Sequence, residues 1–296
     1  MMALPRTLKG ELKTNEPLSR YNSWRVGGPA KQLYRPTDRN DLALFLQQLP
    51  AEEPVLWVGL GSNLLIRDGG FAGTVIVTAG ALQTIDVIDN EITAEVGLYC
   101  SKLAKQAAKA GLKGAAFWAG IPGTLGGALA MNAGAHGVET WDSVLEVTTI
   151  DKQGELHLYN ADQFEVSYRH VNLPENQWFV AAKMRFEQGD KETELELIRD
   201  LLKKRNISQP TNQPCAGSVF RNPPGDFSGR LIEVSGLKGL TVGGASVSDK
   251  HANFIVNNGD ATAKDIETLI FEVQQRVEQE HGVKLIPEVH IIGEAS

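Results

Sequence analysis

The residues Trp118–Gly137, W-A-G-I-P-G-T-L-G-G-A-L-A-M-N-A-G-A-H-G, include six glycines and no Asp, Glu, Lys or Arg. Glycine admits positive φ and lets a backbone approach a ligand with no Cβ between them. Successive N–H groups in such turns make concave anion sites, and a short helix starting near Thr124 adds the donors of its first turn. The chemistry this suits is a cradle for the pyrophosphate of a nucleotide cofactor. A second stretch, Gly59-Leu60-Gly61-Ser62-Asn63-Leu64, follows the apolar run Val55-Leu56-Trp57-Val58. It has the first two glycines of a dinucleotide fingerprint but Leu64 at the third, and Leu65–Gly70 reads as strand and turn rather than helix. The doubly wound nucleotide fold therefore lacks its context. A nucleotide loop of another kind fits: Gly59 and Gly61 open the backbone, and Ser62 and Asn63 offer polar contacts.

Two other readings of the longer stretch compete. One is a membrane span, because residues 114–135 carry no charge over 22 positions. Its glycines, Pro122 and Asn132 make a poor apolar helix, and no basic flank follows. The other is a buried Gly/Ala-packed turn with no ligand.

Composition narrows the classes. The 296 residues allow two or three domains, or one large one. A net charge of −7 argues against nucleic acid as the main partner. Met1–Leu12 carries Arg6, Lys9 and Glu11 and no apolar core, unlike a secretory signal. Cys100 and Cys215 form no disulfide framework and have no metal-ligand spacing, so no metal is expected and two reduced thiols in a cytoplasmic protein are.

The elements that must position these loops follow from periodicity. Met1–Leu18 reads as extended or loosely docked. Leu42, Phe45, Leu46 and Leu49 mark an amphipathic helix, capped by Thr37 or Asp38 and ended by Pro50. Val75–Thr78 is a strand; Ile85–Ile88 and Ile92–Val96 flank the hairpin signal Asp89-Asn90. Leu103, Ala107 and Ala110 share a helical face closed by Gly111. A second hairpin joins Val144–Ile150 to Glu155–Tyr159, and Trp178–Phe186 is a further strand. Thr193–Arg205 is a helix with Leu195, Ile198 and Leu202 inward. Ser208–Pro224, with four prolines, is a domain boundary or active-site loop. Thr262 with Asp265 makes an acidic capping box for a helix striped by Ile266, Leu269, Ile270, Val273 and Val277 and stopped by Gly282. Leu285–Ile292 is the last strand. Hairpins are as common as strand–helix alternation, which predicts an α+β fold.

Taken together the motifs resemble a family. Gly59-Leu60-Gly61-Ser62-Asn63-Leu64-Leu65 is similar to a flavin loop of the FAD-binding fold of vanillyl-alcohol-oxidase-like flavoenzymes. Gly120-Ile121-Pro122-Gly123-Thr124-Leu125-Gly126-Gly127, with Asn132-Ala133-Gly134-Ala135, resembles its pyrophosphate loop. Within that fold, Tyr168-Arg169, Ala216-Gly217-Ser218-Val219-Phe220-Arg221-Asn222-Pro223, Gly229–Glu233, His251–Asn257 and Pro287-Glu288-Val289 resemble the UDP-N-acetylenolpyruvoylglucosamine reductases, over roughly residues 20–294. Two positions depart from the family pattern: Trp24 stands at a usual Phe, and Val171 at a usual Ser. The 70-residue spacing from Ser218 to Glu288 resembles the family's compact subclass.

The resemblance implies an FAD-binding domain over 20–205, in two parts divided near residue 84, and a C-terminal α+β substrate domain over 206–296. It implies noncovalent FAD held by Gly59, Gly61, Ser62, Asn63, Leu64, Ile121, Pro122, Gly123, Thr124, Gly126, Gly127, Asn132 and Gly134. It implies NADPH and a UDP-sugar as substrates, with no nucleic acid, membrane insertion or protein partner. Hydride would go to the terminal vinyl carbon of an enolpyruvyl group, so charge builds on the adjacent carboxylate. Arg169 is the expected carboxylate partner, since a guanidinium matches a carboxylate at two points. Ser218 is the expected proton donor, and Glu288 a second acid that needs a pKa raised by burial to work near neutral pH. Tyr168, Asn222 and His251 would contact substrate; Arg221 and Arg230 suit its diphosphate by residue chemistry rather than by the resemblance. By residue type alone, these are also an ordinary surface Arg, a turn Ser, a solvent-facing strand Glu and an unremarkable polar His. Two other functions stay open: a flavin oxidase of the same fold with covalent flavin, and a non-catalytic nucleotide-sugar or flavin-binding module.

Overall fold

In a computed structural model, which describes residues 7–295, the helices begin and end where side chains satisfy their termini. Helix α1 (Arg39–Gln48) is capped by Asp38, whose Oδ1 accepts the Asp41 N–H at 2.8 Å, and buries Leu42, Phe45 and Leu46. Such a cap contributes about 1 kcal/mol. Helix α2 (Cys100–Lys109) buries Cys100, Leu103, Ala104, Ala107 and Ala108, and Gly111 follows at φ +70°. Ala110, expected on the buried face, lies at the exposed C-cap. Thr124 precedes the short α3 (Leu125–Ala130). Helix α4 (Lys191–Ser208) outruns its predicted limits and buries Glu194, Ile198 and Leu201; Leu195 and Leu202 are only partly buried. The inward stripe thus runs i, i+4, i+7 from an acidic residue, whose carboxyl is pushed up by burial. Helices α5 (Ser228–Val234) and α6 (Ala263–His281) complete the set. The α6 capping box forms between Thr262 and Asp265, its five predicted apolar positions are buried, and Gly282 ends it at φ +68° in the left-handed region that glycine favours.

Of the two readings of the N-terminal segment, extended or loosely docked, residues Glu11–Pro17 take the extended one, as a strand; Met1–Arg6 lie outside the described residues. A four-stranded sheet takes the order Glu11–Pro17, Pro29–Arg35, Phe71–Val77, Val55–Val58, with its last two strands parallel. A five-stranded antiparallel sheet takes the order Leu156–Asn160, Val144–Asp151, Gln177–Arg185, Glu91–Glu95, Ile85–Ile88. Both predicted hairpins are in it, and Asp89 turns the first at φ +53°. The mixture of helices with mainly antiparallel sheets is the α+β arrangement the pattern predicts.

Packing divides the chain into two units that do not follow chain order. Among the described residues the first comprises 7–14, Gln32–Leu60 and Gly73–Leu202. Its core gathers Leu42, Phe45, Ile76, Leu103, Trp118, Leu129, Val147 and Val180. The second comprises Asn15–Lys31, Gly61–Ala72 and Lys203–Ser296. Its core gathers Trp24, Leu65, Val219, Phe220, Ile266 and Val273. Trp24 is fully buried, and its indole N–H donates to Ile255 O at 2.8 Å, while Asn257 Nδ2 donates to Trp24 O at 2.8 Å. A phenylalanine would bury a similar body but leave the Ile255 carbonyl without this donor. No helix among the described residues is long and apolar enough to cross a membrane.

Candidate active site

In the first unit Gly59, the start of the shorter glycine stretch, meets the longer one. A Cβ on Gly59 would stand 2.2 Å from Thr124 Oγ1, so only glycine allows the approach. Thr124 is 1% exposed and its hydroxyl has no hydrogen-bond partner among the described residues. A buried hydroxyl without a partner costs about 1–3 kcal/mol, so this one suits a ligand with acceptor oxygens. The α3 terminus offers less than the sequence suggests. Leu125 N–H already donates to Leu98 O and Gly126 N–H to Val96 O, both at 2.9 Å. Gly126 is a packing glycine, since its Cβ would meet Val96 Cβ at 2.9 Å. Gly127 is exposed and meets nothing within 4 Å. The orphan hydroxyl and the open face at Gly127 fit an FAD pyrophosphate, with Ile121, Pro122 and Gly123 on the approach to Thr124. The backbone at Gly127 is helical, so Gly127→Leu should keep the fold and help α3, yet weaken FAD binding tenfold or more, about 1.4 kcal/mol. Titration of the apoprotein with FAD checks this; unchanged affinity would place the pyrophosphate elsewhere.

Arg169 is also in this unit. Val166–Ser167 and His170–Val171 pair antiparallel, leaving Tyr168-Arg169 as a two-residue turn. Arg169 takes φ +57°, a position glycine would fill without strain. Its Nη1 donates to Asn132 O at 3.2 Å, and its guanidinium carbon lies 4.9 Å from the centre of the Tyr168 ring. Val171, where the family usually has Ser, is buried in the core. Asn132 is 2% exposed, and its amide is engaged by protein: Nδ2 donates to Glu139 Oε2 at 2.6 Å and to Ser167 O at 3.4 Å, while Oδ1 accepts the Trp141 N–H at 3.2 Å. Gly134 pairs with Glu139 in a short hairpin and has no room for a Cβ beside Val138 O.

In the second unit the Ser218 and Glu288 segments lie side by side. Glu288 N–H donates to Val219 O at 2.7 Å, and Phe220 bridges Pro287. Of the predicted strand Leu285–Ile292, only His290–Ile292 forms a ladder, in parallel with Leu64–Ile66; Glu288 lies between that ladder and the isolated Pro287 bridge. The Gly61–Leu64 segment joins them. Gly217 N–H donates to Ser62 O at 3.2 Å, Asn63 Nδ2 to Glu288 O at 3.0 Å, and His290 N–H to Asn63 O at 3.0 Å. Gly61 has φ +68°, and a Cβ there would meet Tyr21 O at 2.1 Å.

Asn253, which periodicity did not single out, clamps the Ser218 loop. It is 3% exposed, and its side chain makes a two-point bond with Phe220, accepting the N–H at 2.9 Å and donating to the carbonyl at 2.8 Å. Its own N–H donates to His251 Nδ1 at 3.2 Å, which leaves Nε2 as the ring donor of neutral His251. Burial and the nearby Lys238 ammonium hold the His251 pKa below its usual value. Asn222 Oδ1 accepts the Ser228 N–H at 3.1 Å. The buried Arg221 Nε has no protein partner, whereas Arg230 is paired with Asp226, its Nε 2.7 Å from Oδ1. That pairing holds the Asp226 carboxyl down at about 2. Burial pushes the Cys215 thiol up to about 11, so it is no ready nucleophile.

The fold and these loops define an FAD-binding flavoprotein: residues 30–159 match the model described as "FAD binding domain". Residues 209–292 match "UDP-N-acetylenolpyruvoylglucosamine reductase, C-terminal domain". Such a reductase from Legionella pneumophila (strain Corby) is 57% identical over 290 residues, 97% of this chain and 94% of the relative. One from Alkalilimnicola ehrlichii is 54% identical over 296 residues, 100% of this chain and 99% of the relative. The crystal structure of the Thermus caldophilus reductase superposes with a TM-score of 0.82 at 35% identity, covering 96% of this chain and 99% of that one. The chain belongs to the UDP-N-acetylenolpyruvoylglucosamine reductase family.

Proposed function

We propose that the chain reduces the enolpyruvyl group of UDP-N-acetylglucosamine enolpyruvate to give UDP-N-acetylmuramate, a peptidoglycan precursor, with noncovalent FAD and NADPH. Residues 20–205 serve the flavin and 206–296 the nucleotide sugar. The reaction takes place in the cytoplasm, in keeping with two free cysteines. The observation that carries the reading is the bond between the two acid-bearing segments, Glu288 N–H to Val219 O at 2.7 Å.

When bound, FAD supplies hydride, drawn from NADPH, to the terminal vinyl carbon. The protein's part is to hold and polarise. Arg169 takes the substrate carboxylate in a two-point grip and stabilises the charge that builds there as the double bond is reduced. Its strained turn and its bond to Asn132 fix the guanidinium before substrate arrives. The Ser218 hydroxyl gives its proton to the neighbouring carbon; a weak acid suffices against so basic an intermediate at close range. Glu288, half-buried on the adjoining segment, is the second acid or stabilising group. Tyr168, Asn222 and neutral His251 contact the nucleotide half. The unpartnered Arg221 Nε suits the diphosphate, and Arg230 reaches it only by leaving Asp226.

The purified protein should be yellow, with about one FAD per chain, as one pyrophosphate cradle implies. Acid precipitation should release the colour, which separates this reading from a covalent-flavin oxidase. In stopped flow, NADPH should bleach the flavin, and UDP-N-acetylglucosamine enolpyruvate should restore it. Reduced flavin that the substrate leaves bleached would overturn the assignment.

A further inference from the structure

Glu139 belongs to neither the expected flavin contacts nor the expected substrate contacts, yet it ends a chain of bonds that leads to Arg169. Residues Gly134–Ala135 and Val138–Glu139 pair antiparallel around His136 and Gly137, which take φ +58° and +83°. Two successive positive φ values make the tight turn that reverses a hairpin. The reversal brings Glu139 back over Asn132, where Oε2 accepts the Asn132 amide at 2.6 Å, a charge-assisted bond. The Glu139 N–H donates to Asp142 Oδ2 at 2.8 Å, which anchors the hairpin's far end. The same Asn132 amide nitrogen bonds Ser167 O in the Arg169 turn, and the Asn132 carbonyl receives Arg169 Nη1. Asn132 itself sits at φ +43°. Two non-glycine residues with left-handed backbones are therefore tied together, and such backbones persist where the surrounding bonds hold them.

We propose that Glu139 is a positioning residue: through Asn132 it orients the Arg169 guanidinium for the substrate carboxylate and couples the glycine-rich stretch to the substrate site. The proposal rests on the reading of Arg169 as carboxylate partner. Glu139 is only partly buried, so its variants should fold.

The test uses the FAD-loaded full chain with Glu139→Ala, Glu139→Gln, Arg169→Lys and the double variant Glu139→Ala/Arg169→Lys. Glu139→Ala should lower kcat/KM for the enolpyruvyl nucleotide about tenfold, within the usual coupling of residues in one hydrogen-bond network. It should weaken substrate binding, read from the flavin difference spectrum, by a similar factor. FAD content and the rate of flavin reduction by NADPH should stay at parent values. Glu139→Gln keeps an acceptor for Asn132 and should recover most of the loss. In the Arg169→Lys background Glu139→Ala should add little, because its effect passes through Arg169. If Arg169→Lys is crippled while Glu139→Ala matches the parent, the positioning proposal fails and the Arg169 reading stands. If the two losses multiply in the double variant, or Glu139→Ala sheds FAD, Glu139 is a general structural residue and the proposal fails. If Arg169→Lys turns over fully, the Arg169 reading itself fails and takes the proposal with it.

Discussion

Ser218→Ala is expected to lower kcat by about 10²–10⁴-fold, the contribution of a positioned acid, while NADPH reduces the flavin at a near-parent rate. Hydride addition leaves a carbanion stabilised by the substrate carboxylate, and product requires a proton at that carbon. The Ser218 loop is held firmly enough for such a transfer. Val219 is bonded to Asn253 O at 2.9 Å and to Glu288 N–H, and Phe220 is gripped at both backbone atoms by Asn253. Removing one hydroxyl from this frame leaves the frame in place, so the loss should be confined to the second half-reaction. Ser218→Cys should retain more activity than Ser218→Ala, because a thiol still donates. Stopped flow separates the steps. Should Ser218→Ala reoxidise its flavin with substrate and release product at the parent rate, the acid is another group, with Glu288 next in order.

Arg169→Lys should cost about 10²–10³-fold in turnover, the loss typical when one donor to a developing oxyanion is removed. Charge is kept; the planar two-point fork is lost. The Arg169 bond to Asn132 O and its contact with the Tyr168 ring both use the extended guanidinium, so an ammonium cannot serve them and a carboxylate together. FAD content should be unchanged. Turnover at the parent rate would make Arg169 peripheral.

Much of the scaffold was legible in the sequence because it is set by short-range chemistry. The α6 stripe with its capping box, Asp38 before α1 and the Asp89 turn all depend on residues a few positions apart. What the pattern misjudged depends on distant partners. Leu285–Ile292 alternates like a strand, but only its last residues find an edge, that of Leu64–Ile66. Gly126 and Gly127 look alike in sequence, yet one packs on Val96 and the other faces open space. Glu139 carried no signal and Asn253 no periodic one, since an asparagine or glutamate gains meaning only from the backbone it reaches. Asn253 falls in the His251–Asn257 motif, which marked the segment without saying what the side chain does. Two of the donors expected at the α3 terminus, the Leu125 and Gly126 N–H groups, are taken for the same reason, because Leu98 and Val96 supply carbonyls from another part of the chain.

The second unit draws together Asn15–Lys31, Gly61–Ala72 and everything from Lys203 onward. Trp24 bonds a residue 231 positions away, and Asn63 one 225 positions away. During synthesis the early pieces of this unit can bond each other, Gly28 N–H to Arg67 O at 3.0 Å and Ser23 N–H to Gly61 O at 3.3 Å, but their partners beyond Lys203 arrive only when nearly the whole chain has left the ribosome. Trp24 and Leu65, both destined for full burial, must wait in an unfinished state. Closing loops of that length before any contact rewards them slows folding, and exposed apolar segments invite aggregation meanwhile. The Ser218 and Glu288 segments therefore take their places only once the chain is nearly whole, and a chain cut short late in translation leaves Trp24 and Leu65 without the C-terminal residues they pack on.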